Sequence, residues 1–260
     1  MHVQYISDYA GRGVLADLQP YIDEGILDTS KMEQGIIDGC KYNGTMCLIP
    51  MGITFSNMLV NQTLLEKYGM EVPSYTTDYT WDDLMAQGEE LKAAAEAQGE
   101  TAYITSDSST VYTMFRYMAR QSGGDLYTED GQLGFEQSVV EDWFNYWNEM
   151  RDKGLVPDAA TSTEDSAAPI EQRLFTTGTV AYTCTPANQL YQLQEQMPDQ
   201  VVTLARNPIG NDGARGEYAE GAHFSINNNS SDEKKEAAAR FINFWVNTEE
   251  SMELFKVDQG

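Results

Sequence analysis

Lys41-Tyr42-Asn43-Gly44-Thr45-Met46-Cys47-Leu48-Ile49-Pro50-Met51-Gly52 is the stretch on which the fold turns. Asn43-Gly44 sits between short apolar-leaning runs. It is the strongest local signal for a two-residue hairpin, because a type I′ turn demands positive φ at both central positions. Residues 46–49 then read as a buried strand, and Pro50, which has no N–H to donate, is expected to end its ladder. Beyond Gly52, residues 53–61 form a second extended segment that opens a helix over residues 64–69. A strand that leaves one compact unit, passes a Pro/Gly joint and enters another is how a chain crosses between two lobes. Ligands tend to settle at such crossings.

The 260 residues suffice for one large domain or two modest lobes with real cores. An apolar share of 41% and 15 tyrosines fit a globular chain rather than a disordered one. No run approaches the roughly 18 apolar residues of a membrane span. The net charge of −25, from 41 acidic and 16 basic side chains, argues against nucleic acid, which needs a basic footprint, and disfavours anionic lipid. Cys40, Cys47 and Cys184 stand at spacings that fit no metal or redox motif. Buried thiols are the expectation, and a Cys40–Cys47 bridge across the hairpin stays open. No secretory leader or lipobox is present, and Met1 directly precedes what reads as mid-domain sequence, so a missing front end is expected.

Along the chain, Ser7 or Asp8 is expected to cap a short helix that ends at Gly11 or Gly13. Gly11-Arg12-Gly13-Val14-Leu15-Ala16 matches a dinucleotide fingerprint, but no strand precedes it and Asp17-Leu18-Gln19-Pro20 turns the chain where a helix must follow. Thr80-Trp81-Asp82-Asp83 is a clean helix start, with Thr80 as cap and two carboxylates against the positive end of the dipole. Asp107-Ser108-Ser109 is expected to cap a further helix. Val139, Val140, Trp143, Phe144, Trp147 and Met150 repeat at helical spacing, which makes them a core stripe. Residues 158–170 read as a surface connection, Leu174-Phe175 as a helix end, and residues 180–184 as a strand. The polar loop Thr185-Pro186-Ala187-Asn188-Gln189 follows that strand, at the kind of carboxyl end where open α/β sheets hold ligands. Residues 208–221 are glycine-rich and irregular, residues 223–226 read as a strand, and Ser230-Ser231-Asp232-Glu233 as a capping box.

Catalytic signatures are thin. The two histidines are His2 and His223, and no G-x-S-x-G elbow, H-E-x-x-H, P-loop or zinc spacing occurs. With 41 acids an Asp/Glu pair for glycoside hydrolysis carries no sequence signature and stays open. What remains is aromatic and amide side chains near strand ends and crossings. Sugars are held in that way, rings on C–H faces and amides or carboxylates on hydroxyls.

Tyr5-Ile6-Ser7-Asp8-Tyr9-Ala10, Gly13-Val14-Leu15-Ala16-Asp17-Leu18, Tyr42-Asn43-Gly44, Ile49-Pro50-Met51-Gly52, Leu65-Glu66-Lys67-Tyr68-Gly69-Met70 and Thr80-Trp81-Asp82-Asp83-Leu84 follow one another in an order that resembles the extracellular solute-binding proteins of family 1. Phe175, Gly178-Thr179-Val180-Ala181-Tyr182 and Glu236-Ala237-Ala238-Ala239-Arg240-Phe241-Ile242 continue the match. Members of the maltose-binding-protein type are substrate-binding components of carbohydrate ABC importers. The resemblance implies an α/β, periplasmic-binding-protein-like (type II) fold of two lobes with a ligand cleft between them. Residues 1–53 and 223–260 would belong to an incomplete N-lobe and residues 54–222 to the C-lobe. It further implies a monomer that binds a sugar or oligosaccharide, needs no cofactor or metal, performs no catalysis and docks on membrane permease subunits. The setting would be the periplasm or a cell-surface lipoprotein.

Carried over position by position, the resemblance points to Asp8 as a polar sugar contact in a loop after Tyr5-Ile6, and to Met51, Thr54 and Phe55 at the cleft floor. Thr54 stands where a relative uses a carboxylate. Tyr112 would lie in a helix-start loop, Asn188 would replace a frequent tryptophan, and Glu220 and His223 would lie at the second crossing. A secreted carbohydrate-active enzyme, a structural surface protein, and a binding protein for a peptide or polyol are the alternatives left open.

Overall fold

A positive φ at both Asn43 (48°) and Gly44 (82°) makes the turn that the sequence demands. In the computed structural model, which describes residues 1, 5–128 and 130–255, that hairpin joins β1 (Lys41–Tyr42) to β2 (Thr45–Met46). The chain divides into two units, one built from Met1–Thr54 and Ala219–Gly260, the other from Phe55–Tyr218. The passages between them thus fall after Thr54 and after Tyr218.

In the first unit, α1 (Ile6–Gly11), α2 (Gln19–Asp23) and α3 (Gln34–Gly39) precede the hairpin. Neither Ser7 nor Asp8 caps α1. Tyr5 holds that position without a side-chain bond, and Asp8 lies inside the first turn. The strand expected over residues 46–49 is broken: Met46 closes β2 and Ile49–Pro50 forms a separate β3. Between them Cys47 and Leu48 are buried, and the Met46 carbonyl is taken by Leu18 N at 2.7 Å. Pro50 is the last residue of the β3 ladder, as expected, paired there with His223 of β8 (His223–Phe224), and one further backbone bond runs from Met51 N to Ala222 O at 2.9 Å. The missing N–H costs nothing where the proline's other edge carries no partner strand, as in this two-stranded ribbon. Helices α10 (Asp232–Asn247) and α11 (Glu249–Phe255) complete the unit, with Ala239 and Ile242 packed on Leu18, Leu27 and Ile49. Ser231 occupies the N-cap of α10 without a side-chain bond, so the expected capping box does not form.

The second unit is organised by a four-stranded sheet of order β5-β6-β4-β7. Its strands are β4 (Ser56–Asn61), β5 (Tyr103–Thr105), β6 (Val180–Pro186) and β7 (Val202–Ala205). β4 runs antiparallel to both neighbours, with Ser56 opposite Pro186 and Met58 opposite Cys184 and Ala205, while β5 and β6 are parallel. Asn61 ends β4 and caps α4 (Gln62–Lys67), its Oδ1 accepting from Leu64 N at 3.0 Å. α5 (Trp81–Glu96) opens on Thr80 as expected, and Asp83 turns that cap into a full capping box. α6 (Tyr112–Gln121) starts three residues past the expected cap, because Asp107 turns its Oδ1 onto Ser109 N at 2.8 Å instead. In α7 (Gln137–Asp152) the stripe narrows to Val139, Trp143, Trp147 and Met150, while Phe144 is 48% exposed. Trp143 and Trp147 meet edge to face at 5.4 Å in the centre of the core.

Two further expectations give way here. Residues 158–170 contain a helix, α8 (Ala159–Ala167), capped by Asp158, whose Oδ1 accepts from Thr161 N at 2.8 Å. Leu174-Phe175 lies in a run of turns, and α9 (Leu190–Gln196) follows β6. Among the described residues no helix is long and apolar enough to cross a membrane.

Candidate functional site

The strand directions of the second unit decide what meets at its edge. β5, β6 and β7 run one way and β4 the other, so three carboxyl ends and the start of β4 lie on one edge of the sheet. Phe55 immediately precedes β4, is 51% exposed, and accepts the Ala187 N–H at 3.1 Å on its carbonyl. Asn188 sits one residue further, in the short turn after β6. Tyr112 opens α6 just beyond β5, and Arg206 and Asn207 follow β7. Three of the expected contacts, Phe55, Tyr112 and Asn188, therefore share that edge.

The middle and last turn of α6 are held by a cluster of charges. Arg116 donates twice to Asp125, at 2.7 and 3.0 Å, and Arg120 once at 2.8 Å. Burial alone would raise the Asp125 carboxyl, but these guanidinium bonds and the Leu126 N–H outweigh it and bring it down to about 2. The Arg116 guanidinium also lies 4.2 Å from the centre of the Tyr218 ring, and the Tyr218 hydroxyl donates to Thr113 O at 3.2 Å. The backbone beside Tyr112 is thereby fixed to the last residue of the unit.

A cavity of about 510 Å³ opens beside Phe55, lined also by Asn57, Tyr75, Arg206, Arg215 and Glu217. Tyr75 is 68% exposed, so two aromatic faces are on offer. Arg206 donates to Tyr75 O at 2.7 Å and to Asp78 at 3.2 Å. Arg215 pairs with Asp78 and, at 3.3 Å, with Glu217. Two guanidinium groups face two carboxylates, which leaves the rim charge-balanced. The Asn207 amide is anchored on Ser56 O at 2.9 Å. Sequence reasoning missed Tyr75, Arg206, Asn207, Arg215 and Glu217. The irregular segment 208–221 holds Arg215 and Glu217, and nothing local marks Tyr75, Arg206 or Asn207.

In the first unit the ribbon collects Met51, Thr54, Glu220 and His223. Thr54 and Glu220 exchange both backbone bonds at 2.8 Å, and His223 stands opposite Pro50. Gly52 and Gly221 pass so closely that a Cβ on Gly221 would lie 2.3 Å from the Gly52 carbonyl oxygen. Burial pushes the His223 imidazole below its usual range, so it is neutral at pH 7, and its Nδ1 has no hydrogen-bond partner. Asp8 is separate from all of these, on exposed α1, where Arg12 pairs with it at 2.9 Å. His2 lies outside the described residues. Among the described residues, no three His, Cys, Asp or Glu side chains gather as metal ligands would.

A sheet edge bearing exposed aromatics and amides, in a chain that leaves one unit and returns to it, is matched by one family model: bacterial extracellular solute-binding protein, over residues 2–252. The chain belongs to that family. A putative binding protein of Brucella abortus is 25% identical over 93% of this chain and 56% of its own length. An ABC substrate-binding protein of Listeria monocytogenes, solved in complex with cycloalternan, superposes with a TM-score of 0.78 at 26% identity, covering 95% of this chain and 60% of that one. A periplasmic solute-binding protein of Pectobacterium atrosepticum reaches a TM-score of 0.81 at 21% identity, over 98% and 63%. The fold is that of the type II periplasmic-binding-protein class. This solute-binding chain thus spans somewhat over half the length of the relatives it matches.

Proposed function

We propose that this solute-binding protein captures a sugar or oligosaccharide and delivers it to the permease subunits of an ABC importer, acting outside the cytoplasm as a monomer without catalysis. Its two units are read as parts of the family's two lobes. The observation that carries the reading is Phe55. A half-exposed ring at a sheet edge, beside a charge-balanced cavity of about 510 Å³, suits a neutral ligand that offers C–H faces for stacking and hydroxyls for amides. Asn188 and Tyr112, on the same edge, supply an amide and a phenol for those hydroxyls. Relatives solved with cycloalternan and with maltose support a carbohydrate.

The test is a thermal-shift screen of a carbohydrate panel, followed by calorimetry on each hit. A ligand at about 100 times its dissociation constant adds roughly 2.7 kcal/mol, several degrees for a chain of this size. Phe55→Ala should weaken binding about tenfold, the range expected for one lost stacking contact with its buried area. Because the ring is half exposed, the melting temperature of the free protein should barely move. A relative of Mycobacterium tuberculosis was solved with glycerophosphocholine. A response to that phosphodiester with silence across all sugars would sink the carbohydrate reading.

A further inference from the structure

The hairpin of the first unit brings two thiols opposite each other. Lys41 pairs with Met46 and Tyr42 with Thr45. The ladder stops there, and Cys40, at the end of α3, is tied to Cys47 by one backbone bond, the Cys47 N–H donating to the Cys40 carbonyl at 3.3 Å. Such a bond holds the two Cα atoms roughly 5–6 Å apart, inside the roughly 4.4–6.8 Å that a disulfide spans. Both side chains are buried in one apolar cluster with Leu18, Met46 and Leu48. Burial pushes the Cys40 thiol up to about 11, and the neighbouring Cys47 adds to the rise. Cys184 lies in the other unit, its sulfur 3.9 Å from that of Met114.

We propose that Cys40 and Cys47 are joined by a disulfide in the mature protein, closed while the chain folds by exchange with a disulfide-bearing oxidant. The Cys40 thiolate attacks one sulfur of the oxidant's disulfide, which forms a mixed disulfide and releases one oxidant thiolate. The Cys47 thiolate then attacks Cys40 Sγ and releases the second. One S–S bond forms and one breaks, two electrons pass to the oxidant, and the two cysteine protons end on its thiols. All three cysteines are free thiols in this structure. The timing follows from burial. In the folded unit both thiols are shielded and held protonated, whereas exchange needs a thiolate and access. The bond therefore closes before α10 covers the hairpin. Membership of an extracellular family places the chain where structural disulfides persist.

The test starts from the reduced, unfolded chain, refolded in a glutathione buffer containing oxidised glutathione, alkylated under denaturing conditions and cut with trypsin. Cleavage after Lys31, Lys41 and Lys67 separates residues 32–41 from residues 42–67. The expected result is one alkylated cysteine, Cys184, and a link between those two fragments that reductant splits. Reductant should also lower the melting temperature by about 5–10 °C and leave a Cys40→Ala/Cys47→Ala variant unmoved. Three alkylated cysteines, a glutathione adduct retained on either thiol, or a bridge through Cys184 would overturn the proposal.

Discussion

A single methyl group added at Gly221 should force open the ribbon through which the chain leaves and re-enters its first unit. The Cβ of an alanine there would sit 2.3 Å from the Gly52 carbonyl oxygen and 3.6 Å from the Ile53 Cα. The obstacle is backbone, which cannot rotate away as a side chain would, so one strand must shift by about 1 Å to restore ordinary contact. Two features fix the strands on either side: the paired Thr54–Glu220 bonds at 2.8 Å and the Met51–Ala222 bond at 2.9 Å. Losing two or three of these, at about 1 kcal/mol each, gives a destabilisation of about 2–3 kcal/mol. At roughly 2–4 °C per kcal/mol the melting temperature should fall by about 4–12 °C. Gly35→Ala is the matched control. It lies in α3 with no atom within 4 Å of a built Cβ and should stabilise by about 0.5 kcal/mol. Equal melting temperatures for the two variants in calorimetric scans would refute the close-approach argument.

Thr80→Ala removes the side-chain half of the α5 capping box, leaving the Asp83 carboxylate to accept from the backbone N–H of residue 80, and should cost about 1 kcal/mol in urea unfolding, whereas Ser231→Ala, at a cap that makes no side-chain bond, should be silent. The Asp125 carboxyl, held at about 2 against an ordinary 3.8, contributes stability that is fully present above pH 4 and is lost as pH falls towards 2. That amounts to about 2 kcal/mol. Asp125→Asn should therefore lower stability at pH 7 and flatten the fall between pH 4 and 2, and a parallel curve for the variant would contradict the assignment. Trp147→Ala should cost about 3–5 kcal/mol, because the ring is fully buried beside Trp143 and Tyr146, and a mild loss in thermal unfolding would show that the core collapses to fill the space.

Features set by local backbone chemistry were legible in the sequence. The Asn43-Gly44 turn and the Thr80 cap each need only a few neighbouring residues, and both stand as read. Features decided by distant packing were not. The break after Met46 arises because Leu18, far upstream, takes its carbonyl. The partner of Pro50, His223, arrives from far downstream, and nothing local announces it. α8 escaped notice because none of its residues is buried, so no apolar period marks it, and the Asp158 cap was the signal available. The ribbon residues Met51, Thr54, Glu220 and His223 came from family likeness, since nothing local links positions so far apart. The cavity beside Phe55 depends on Tyr75, Arg206 and Arg215, which are ordinary loop residues until the strands of the sheet align them.

The division of the chain also orders events in time. The second unit is one uninterrupted segment, Phe55–Tyr218, whereas the first needs both Met1–Thr54 and Ala219–Gly260. During synthesis the opening residues must wait for the whole inserted segment, which takes on the order of 10 s at common elongation rates. Until then Leu18, Leu27 and Ile49 lack Ile226, Ala239 and Ile242 to cover them. A nascent chain is accordingly most prone to chaperone capture and proteolysis while its first unit is unfinished. The Asn43-Gly44 turn, which needs no distant partner, is a piece of that unit that can form during the wait.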